Sequence, residues 1–366
     1  MSDPIYLDYQ ATTPMAPEAA DAMRHWIDAG FWNPHSSHGG GRQAAAAVEV
    51  ARDQVSGLLP DGGRTIFTSG ATEAINMGLI GAMRSGQRRT IVTIATEHAA
   101  VRDTAFWLER EGYRLVLLPV EPDGLVDLEA ARGAIDDDTA IVAAMAVNNE
   151  IGVIQPLDAL ADLAHGAGAL FFCDAVQGYG RIALPVMADM IAISAHKIHG
   201  PKGIGALWLR DGVQIEPLMH GGGQEQGLRS GTLSPALCAG FGAAAAIASA
   251  RREEDAEHVA RLWEEASALF ADWTVNGSTG QRYRGNLNIR RDGLDVGRLM
   301  SDVRGVLFSA GSACASGSGR PSHVLEALGL ADTQIKNSIR LGFGRYSSMQ
   351  DLRIAADLIN RAAKAQ

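Results

Sequence analysis

Cysteine is scarce in this chain and positive charge is in deficit. Its three cysteines, Cys173, Cys238 and Cys314, are an odd number with no CxxC spacing. That excludes a disulfide framework and gives no support to a zinc site, so reduced thiols are expected. No run of 18 strongly apolar residues occurs, which leaves out the signature of a membrane-spanning helix. The start MSDPIYLDYQ lacks the basic segment and apolar core of a secretory signal, and a cytoplasmic location is the expectation. Lys and Arg number 32 against 42 Asp and Glu, a formal charge of −10. Such a balance argues against a general nucleic-acid or anionic-membrane binder and leaves small molecules and proteins as partners. The Gly-Lys-Ser/Thr ending of a Walker loop is missing, and no GxGxxG follows the first strand-like run.

What is present reads as an enzyme of ordinary composition, 46% hydrophobic and 20% charged over 366 residues, long enough for roughly two domains with separate cores. From Arg64 to Ser194 the short apolar runs RTIF, TIVTIA, RLVLLPV, TAIVAAMAV, GALFFCD and ADMIAIS alternate with segments of helical spacing. Strand and helix in alternation predict an α/β fold, a mostly parallel sheet covered on both faces. After GIGALWLR and a glycine-rich loop, a long helical stretch is expected from Ser234 to about Asp272, Ala-rich and then charged, bridging two domains. Beyond it NLNIRR, the helix DVGRLMSD, the strand GVLFSA, the Cys314 loop, SIRLGFG and a terminal helix from about Met349 suggest a smaller α+β domain. The expected division is 14–252 for the large domain and 1–13 with 253–366 for the small one.

Lys197 lies in SAHKIHGPKG, and Asp174 closes the apolar run GALFFCD upstream. A lysine behind a strand, among Ser, His and Gly, suits a Schiff base with an aldehyde cofactor; a strand-end Asp suits a pyridinium nitrogen. The pairing points to pyridoxal phosphate. A carboxylate at that position costs desolvation unless a cation answers it, and Gln177 stands three residues on. Lys202 is the competing lysine and reads as an ordinary loop residue.

Other runs are less specific alone. TSGATEA, from Thr68 to Ala74, opens a helix after a strand, which offers amides to a phosphate and reads equally as a capped helix start. His98, in ATEHAAV, could stack on a pyridine ring and move protons, and taken alone also reads as structural. VNNEIGVIQP puts two Asn at a strand end, where a turn is the simpler reading. HGGGQEQGLRSGT, with Gln224, Arg229 and Thr232, could lay amides and a hydroxyl on a phosphate or connect domains. Cys173 and Cys238 sit in apolar segments and read as buried hydrophobes. Cys314 sits in SAGSACASGSGRPS, whose small residues make neither a good helix nor a strand core, so an accessible, mobile thiol is expected there.

Taken in order, LDYQATTP, NPHSSHGGGRQA, TSGATEA, ATEHAAV, VNNEIGVIQP, CDAVQ, SAHKIHGPKG, HGGGQEQGLRSGT, GSACASGS and NSIRLGFGR resemble the pyridoxal-phosphate cysteine desulfurases of iron–sulfur cluster and nitrogenase sulfur supply. The resemblance covers nearly the whole chain. It implies the fold type I aminotransferase architecture and a homodimer with active sites at the subunit interface. By it, Lys197 would bind the cofactor covalently and move the Cα proton. Asp174 would pair with the ring nitrogen, Gln177 would contact the ring hydroxyl and His98 would stack on the ring. Ala71, Thr72, Ser194 and His196 would hold the phosphate, with Thr232 contributed by the partner subunit. Asn149, also a cofactor contact, and Arg340 would grip the carboxylate of L-cysteine, and Cys314 would take its sulfur as a persulfide for an acceptor such as an iron–sulfur scaffold. The rival readings are a selenocysteine lyase or another aminotransferase or lyase of this fold, which would not need Cys314, and a non-enzymatic sulfur carrier, which would not need Lys197, Asp174 and His98.

Overall fold

The structure is a computed structural model that describes residues 4–311 and 321–366. The chain enters through β1 (Ile5–Tyr6), α1 (Pro17–Asp28) and α2 (Gly39–Ser56). Alternation follows: β2 (Gly63–Thr68), α3 (Ala71–Ser85), β3 (Thr90–Ile94), α4 (Ala99–Arg110), β4 (Arg114–Leu118), α5 (Leu128–Ala134), β5 (Thr139–Met145), α6 (Leu157–Gly166), β6 (Leu170–Asp174), β7 (Met190–Ser194) and β8 (Gly205–Arg210). These strands form one seven-stranded sheet in the order β2-β8-β7-β6-β5-β3-β4.

Both faces of that sheet are covered, so its strands are apolar throughout and adjacent residues go to opposite sides. Phe171, Cys173 and Ile191 face a core shared with Val48 of α2, while Phe172, Met190 and Ala192 face one shared with Ile75 and Leu79 of α3. The sheet is parallel except for β8, which runs against both β2 and β7. The link from β7 to β8 holds one 3-10 turn, Ala195–Lys197, too short for the crossover a parallel pair requires. That reversal puts Lys197 at the carboxyl end of β7.

The connections after β3 and β5 leave in opposite directions, one to β4 and the other to β6. Open α/β sheets bind ligands outside the carboxyl ends of strands at such a point. His98 follows β3 and Asn149 follows β5.

The expected bridging helix is two helices, α7 (Pro235–Ala250) and α8 (Arg252–Leu269), divided at Arg251, whose φ of −105° and ψ of 9° leave the helical region. The division falls where composition changes: Phe241, Ala244 and Ala245 of α7 join the large-sheet core, whereas Leu262 and Ala266 of α8 join another. That second core is built on β9 (Thr274–Val275), β10 (Asn286–Arg290), α9 (Val296–Asp302), β11 (Val306–Leu307), β12 (Ser309–Ala310), α10 (His323–Ala327), α11 (Asp332–Lys336), β13 (Ser338–Gly342) and α12 (Met349–Lys364). Here a four-stranded sheet runs β12-β13-β10-β9, and the expected strand GVLFSA is split, β11 pairing with β1 and β12 with β13. Ile151 and Val153, in the turn after β5, pack with Val324 and Leu325 of α10 in a separate small cluster.

Candidate active site

The carboxyl ends of β3, β5, β6 and β7 surround a cavity of about 530 Å³. Ala71, Thr72, His98, Asn149, Asp174, Gln177, Ser194, His196, Lys197 and Arg340 all line it. Residues separated by up to 269 positions in sequence thus meet at one place. Lys202 lines it too, which corrects its reading as an ordinary loop lysine.

Lys197 Nζ donates to the backbone carbonyls of Gln10 at 2.5 Å and Ala11 at 2.8 Å. Gln177 Nε2 reaches the same Gln10 carbonyl at 2.9 Å, and Thr13 ties the preceding strap to the His196 carbonyl. Sequence reasoning did not place Gln10 and Ala11 in the cavity they line. Their only signal was the polar turn LDYQATTP, whose partners lie far along the chain.

Asp174 ends β6, is 4% exposed and accepts the Val176 amide at 3.0 Å. Burial pushes its carboxyl up toward the neutral form, opposed by the charges of His98 and Lys197. His98 is pushed down by burial and by Lys197, and Asp174 works against this shift. Its Nδ1 accepts the Ala100 amide at 3.1 Å, capping α4, so the neutral ring carries its proton on Nε2. The structural reading of His98 thus holds as a cap on α4, and the same residue lines the cavity. Beneath lies Glu97, fully buried, held well above the usual carboxylate range by burial and then by Asp174. One of its oxygens accepts the Met145 amide at 2.7 Å and the other has no hydrogen-bond partner among the described residues.

The two Asn of VNNEIG divide the roles offered for the pair. Asn148 makes the turn, its Oδ1 accepting the amides of Glu150 and Ile151 at 2.8 and 3.0 Å. Asn149 turns to the cavity, and its carbonyl accepts from Arg340 Nη1 at 3.0 Å. Arg340, 1% exposed, also binds Asp8 Oδ1 at 2.7 Å. Asp8 thus supplies the anion that a buried arginine requires, and burial alone does not call for a second one; among the described residues Nε has no hydrogen-bond partner.

At the far wall α3 begins at Ala71, and its N-cap Gly70 makes no side-chain cap. A Cβ at Gly205 would come 2.5 Å from the Ile193 carbonyl oxygen and 2.7 Å from the Gly70 carbonyl carbon. Glycine there lets the start of α3 lie against β8, with its uncapped amides at the cavity. His196 is pushed down to about 4 by burial and by Lys197, Lys202 and Arg181, so it meets a ligand as a neutral ring.

Two expected members are not brought there. Thr232 is exposed and is not part of this lining, and Arg229 of the same loop is engaged with Glu73 at 2.6 Å. Cys314 lies outside the described residues. Cys173 and Cys238 are buried and unpaired, their thiols pushed up by burial, Cys238 to about 12.

These residues fit pyridoxal phosphate. A buried carboxyl forced toward neutrality gains its charge back from a cationic ring nitrogen. An uncapped helix start with a neutral His and Ser194 suits a phosphate, and Lys197 supplies the amine for an aldehyde.

The aminotransferase class-V family model matches residues 5–354. Cysteine desulfurase IscS of Rickettsia rickettsii is 42% identical over 369 residues, covering 97% of this chain and 90% of that protein. A solved NifS-like protein superposes with a TM-score of 0.92 at 31% identity, covering 99% of this chain and all of the other. SspA in complex with cysteine superposes with a TM-score of 0.83 at 32% identity, over 94% of this chain and 100% of that one. With the family model spanning nearly its whole length, the chain belongs to the class-V aminotransferases.

Proposed function

We propose that this protein is a pyridoxal-phosphate cysteine desulfurase that converts L-cysteine to L-alanine and takes the sulfur onto Cys314. The observation that carries the reading is the single cavity in which Lys197, Asp174, His98 and Arg340 converge. The names of its relatives and the cysteine bound to SspA support the substrate.

Bound there, pyridoxal phosphate supplies an aldehyde for an amine and a ring that draws electrons from the substrate Cα. Lys197 would hold that aldehyde and would take the Cα proton on Nζ; its resting bonds to two carbonyls aim the amine. Asp174 would keep the ring nitrogen protonated, Gln177 would contact the ring hydroxyl, and His98 would stack on the ring. Ala71, Thr72, Ser194 and His196 hold the phosphate. Asn149 and Arg340 bind the substrate carboxylate, Arg340 through a planar fork.

Cys314 Sγ acts as a thiolate: its bond to the substrate sulfur forms as the Cβ–S bond breaks, and the carbon is reprotonated. L-cysteine and one thiol thus give L-alanine and one persulfide, with no outside oxidant. An acceptor protein, proposed as an iron–sulfur scaffold, then collects the sulfur.

A homodimer completes the reading, with Thr232 of each subunit serving the other's phosphate. Thr232 is exposed and off its own cavity, and Phe31 and Ile27 present apolar side chains that are 84% and 63% exposed. The division into 14–252 and 1–13 with 253–366 rests on the two cores separated at Arg251. No helix among the described residues is long and apolar enough to cross a membrane, and a cytoplasmic location is proposed. Purified protein incubated with L-cysteine and a reductant tests the activity. Alanine and sulfide in equal amounts support it; sulfide without alanine, or neither product, contradicts it.

A further inference from the structure

Ser322 and Glu150 meet in the interior. Ser322, 1% exposed, donates its hydroxyl to Glu150 Oε2 at 2.5 Å, and Ser322 Oγ in turn accepts the Leu325 amide at 3.1 Å. One hydroxyl therefore uses its proton on a carboxylate and a lone pair on the start of α10. Glu150, 3% exposed, faces Arg340 of β13 and Arg102 of α4 as its charged neighbours. It follows Asn149, a wall of the cavity, and precedes Ile151, which packs on Val324 and Leu325. The next residue repeats the attachment: His323 Nε2 lies 2.9 Å from the Glu97 carbonyl, one residue before His98.

The two loops that present His98 and Asn149 thus each hold one residue at the start of α10, the element that follows the Cys314 segment in sequence. We propose that Glu150, acting through Ser322, is a positioning residue for sulfur transfer: it fixes the start of α10 against the cofactor cavity, and it does not bind cysteine. The proposal rests on the desulfurase reading. A carboxylate suits the task because a charge-assisted hydrogen bond in a dry site is short and directional. Ser322 suits it because one hydroxyl serves both the Glu150 carboxylate and the Leu325 amide.

The test uses the holoenzyme and separates cysteine binding from sulfur transfer. Ser322→Ala, Ser322→Thr, Glu150→Asp and the Ser322→Ala/Glu150→Asp pair are each compared with wild type. Binding is read as the cofactor's spectral change on cysteine addition, and transfer as alanine formed in a single turnover. Ser322→Ala and Glu150→Asp, whose carboxylate is one methylene too short, are expected to bind cysteine within about twofold of wild type yet to transfer sulfur roughly tenfold or more slowly, as small misplacements of reacting groups do. The double variant is expected to be no slower than the slower single, the mark of one shared contact. Ser322→Thr keeps the hydroxyl and is expected to recover most of the rate. Wild-type transfer rates in both Ser322→Ala and Glu150→Asp overturn the proposal, as does equal loss of binding and transfer, or additive loss in the double variant. If Ser322→Ala does not fold, Glu150→Asp decides the matter: slowed transfer with cysteine binding kept supports the proposal, and wild-type transfer or equal loss of both overturns it. Wild-type protein that forms no alanine overturns the activity itself, a result distinct from failure of the positioning role.

Discussion

The amine of Lys197 and the backbone carbonyl of Gln10 are 2.5 Å apart, and Gln177 binds that same carbonyl. A residue from the first turn of the chain therefore aims the lysine that follows β7. On the proposed reading a cofactor linked to Lys197 would draw its amine from this site, while Lys202 lies along the same cavity wall.

Borohydride reduction followed by mass analysis of peptides is expected to find the cofactor on Lys197 and not on Lys202. Lys197→Ala is expected to fold, to bind the cofactor without a reducible link, and to make no alanine. Cofactor fixed on Lys202 in wild-type protein contradicts the assignment.

Arg340→Lys keeps a cation for Asp8 and loses the planar fork. Its KM for L-cysteine is expected to rise by about tenfold, roughly 1.4 kcal/mol of binding, with the cofactor spectrum of the resting enzyme unchanged. An unchanged KM would leave Arg340 to its contacts with Asp8 and the Asn149 carbonyl alone.

Glu150 has its carboxyl raised to about 7, chiefly by burial, against the pull of Ser322, Arg340 and Arg102. Between about pH 4.3, its unfolded value, and the folded value, the folded chain holds a proton that the unfolded chain has released. Stability from this group is full below the unfolded value and is lost as pH rises through the folded one. Urea unfolding of wild type and Glu150→Gln compared at about pH 5 and about pH 7 is expected to show wild type losing roughly 2 kcal/mol relative to the variant. A difference that does not change with pH contradicts the shift.

Much of this site was legible because its members follow apolar strands. Asp174 and His98 stand just after runs whose carboxyl ends must converge in a parallel sheet, and Lys197 stands at the one reversal. Glu97 and Glu150 were passed over: each adjoins a residue that was noticed, and nothing in the spacing says that both would be buried. Gln10 and Ser322 join the site only through pairings made far along the chain. The break at Arg251 was hidden because both helices have good helix formers, and only the change of core they serve divides them. For Arg340 the sequence pointed to a substrate carboxylate, and the folded chain pairs it with Asp8, nearly the whole chain away in sequence.

Buried thiols with raised pKa values react slowly, because the thiolate is the nucleophile. Iodoacetamide at about neutral pH is expected to leave Cys173 and Cys238 unlabelled in the native holoenzyme, and Cys173→Ala and Cys238→Ala to keep most activity. Rapid labelling of either contradicts their burial.

The most direct measurement is the location of the sulfur. Holoenzyme treated briefly with L-cysteine without reductant, then alkylated and digested, is expected to carry the mass of one added sulfur atom on the peptide containing Cys314. Cys314→Ala is expected to bind cofactor and cysteine and to form neither persulfide nor alanine. Added sulfur on Cys173 or Cys238, or sulfide released at the wild-type rate by Cys314→Ala, would contradict the account and point to a lyase that uses no enzyme thiol.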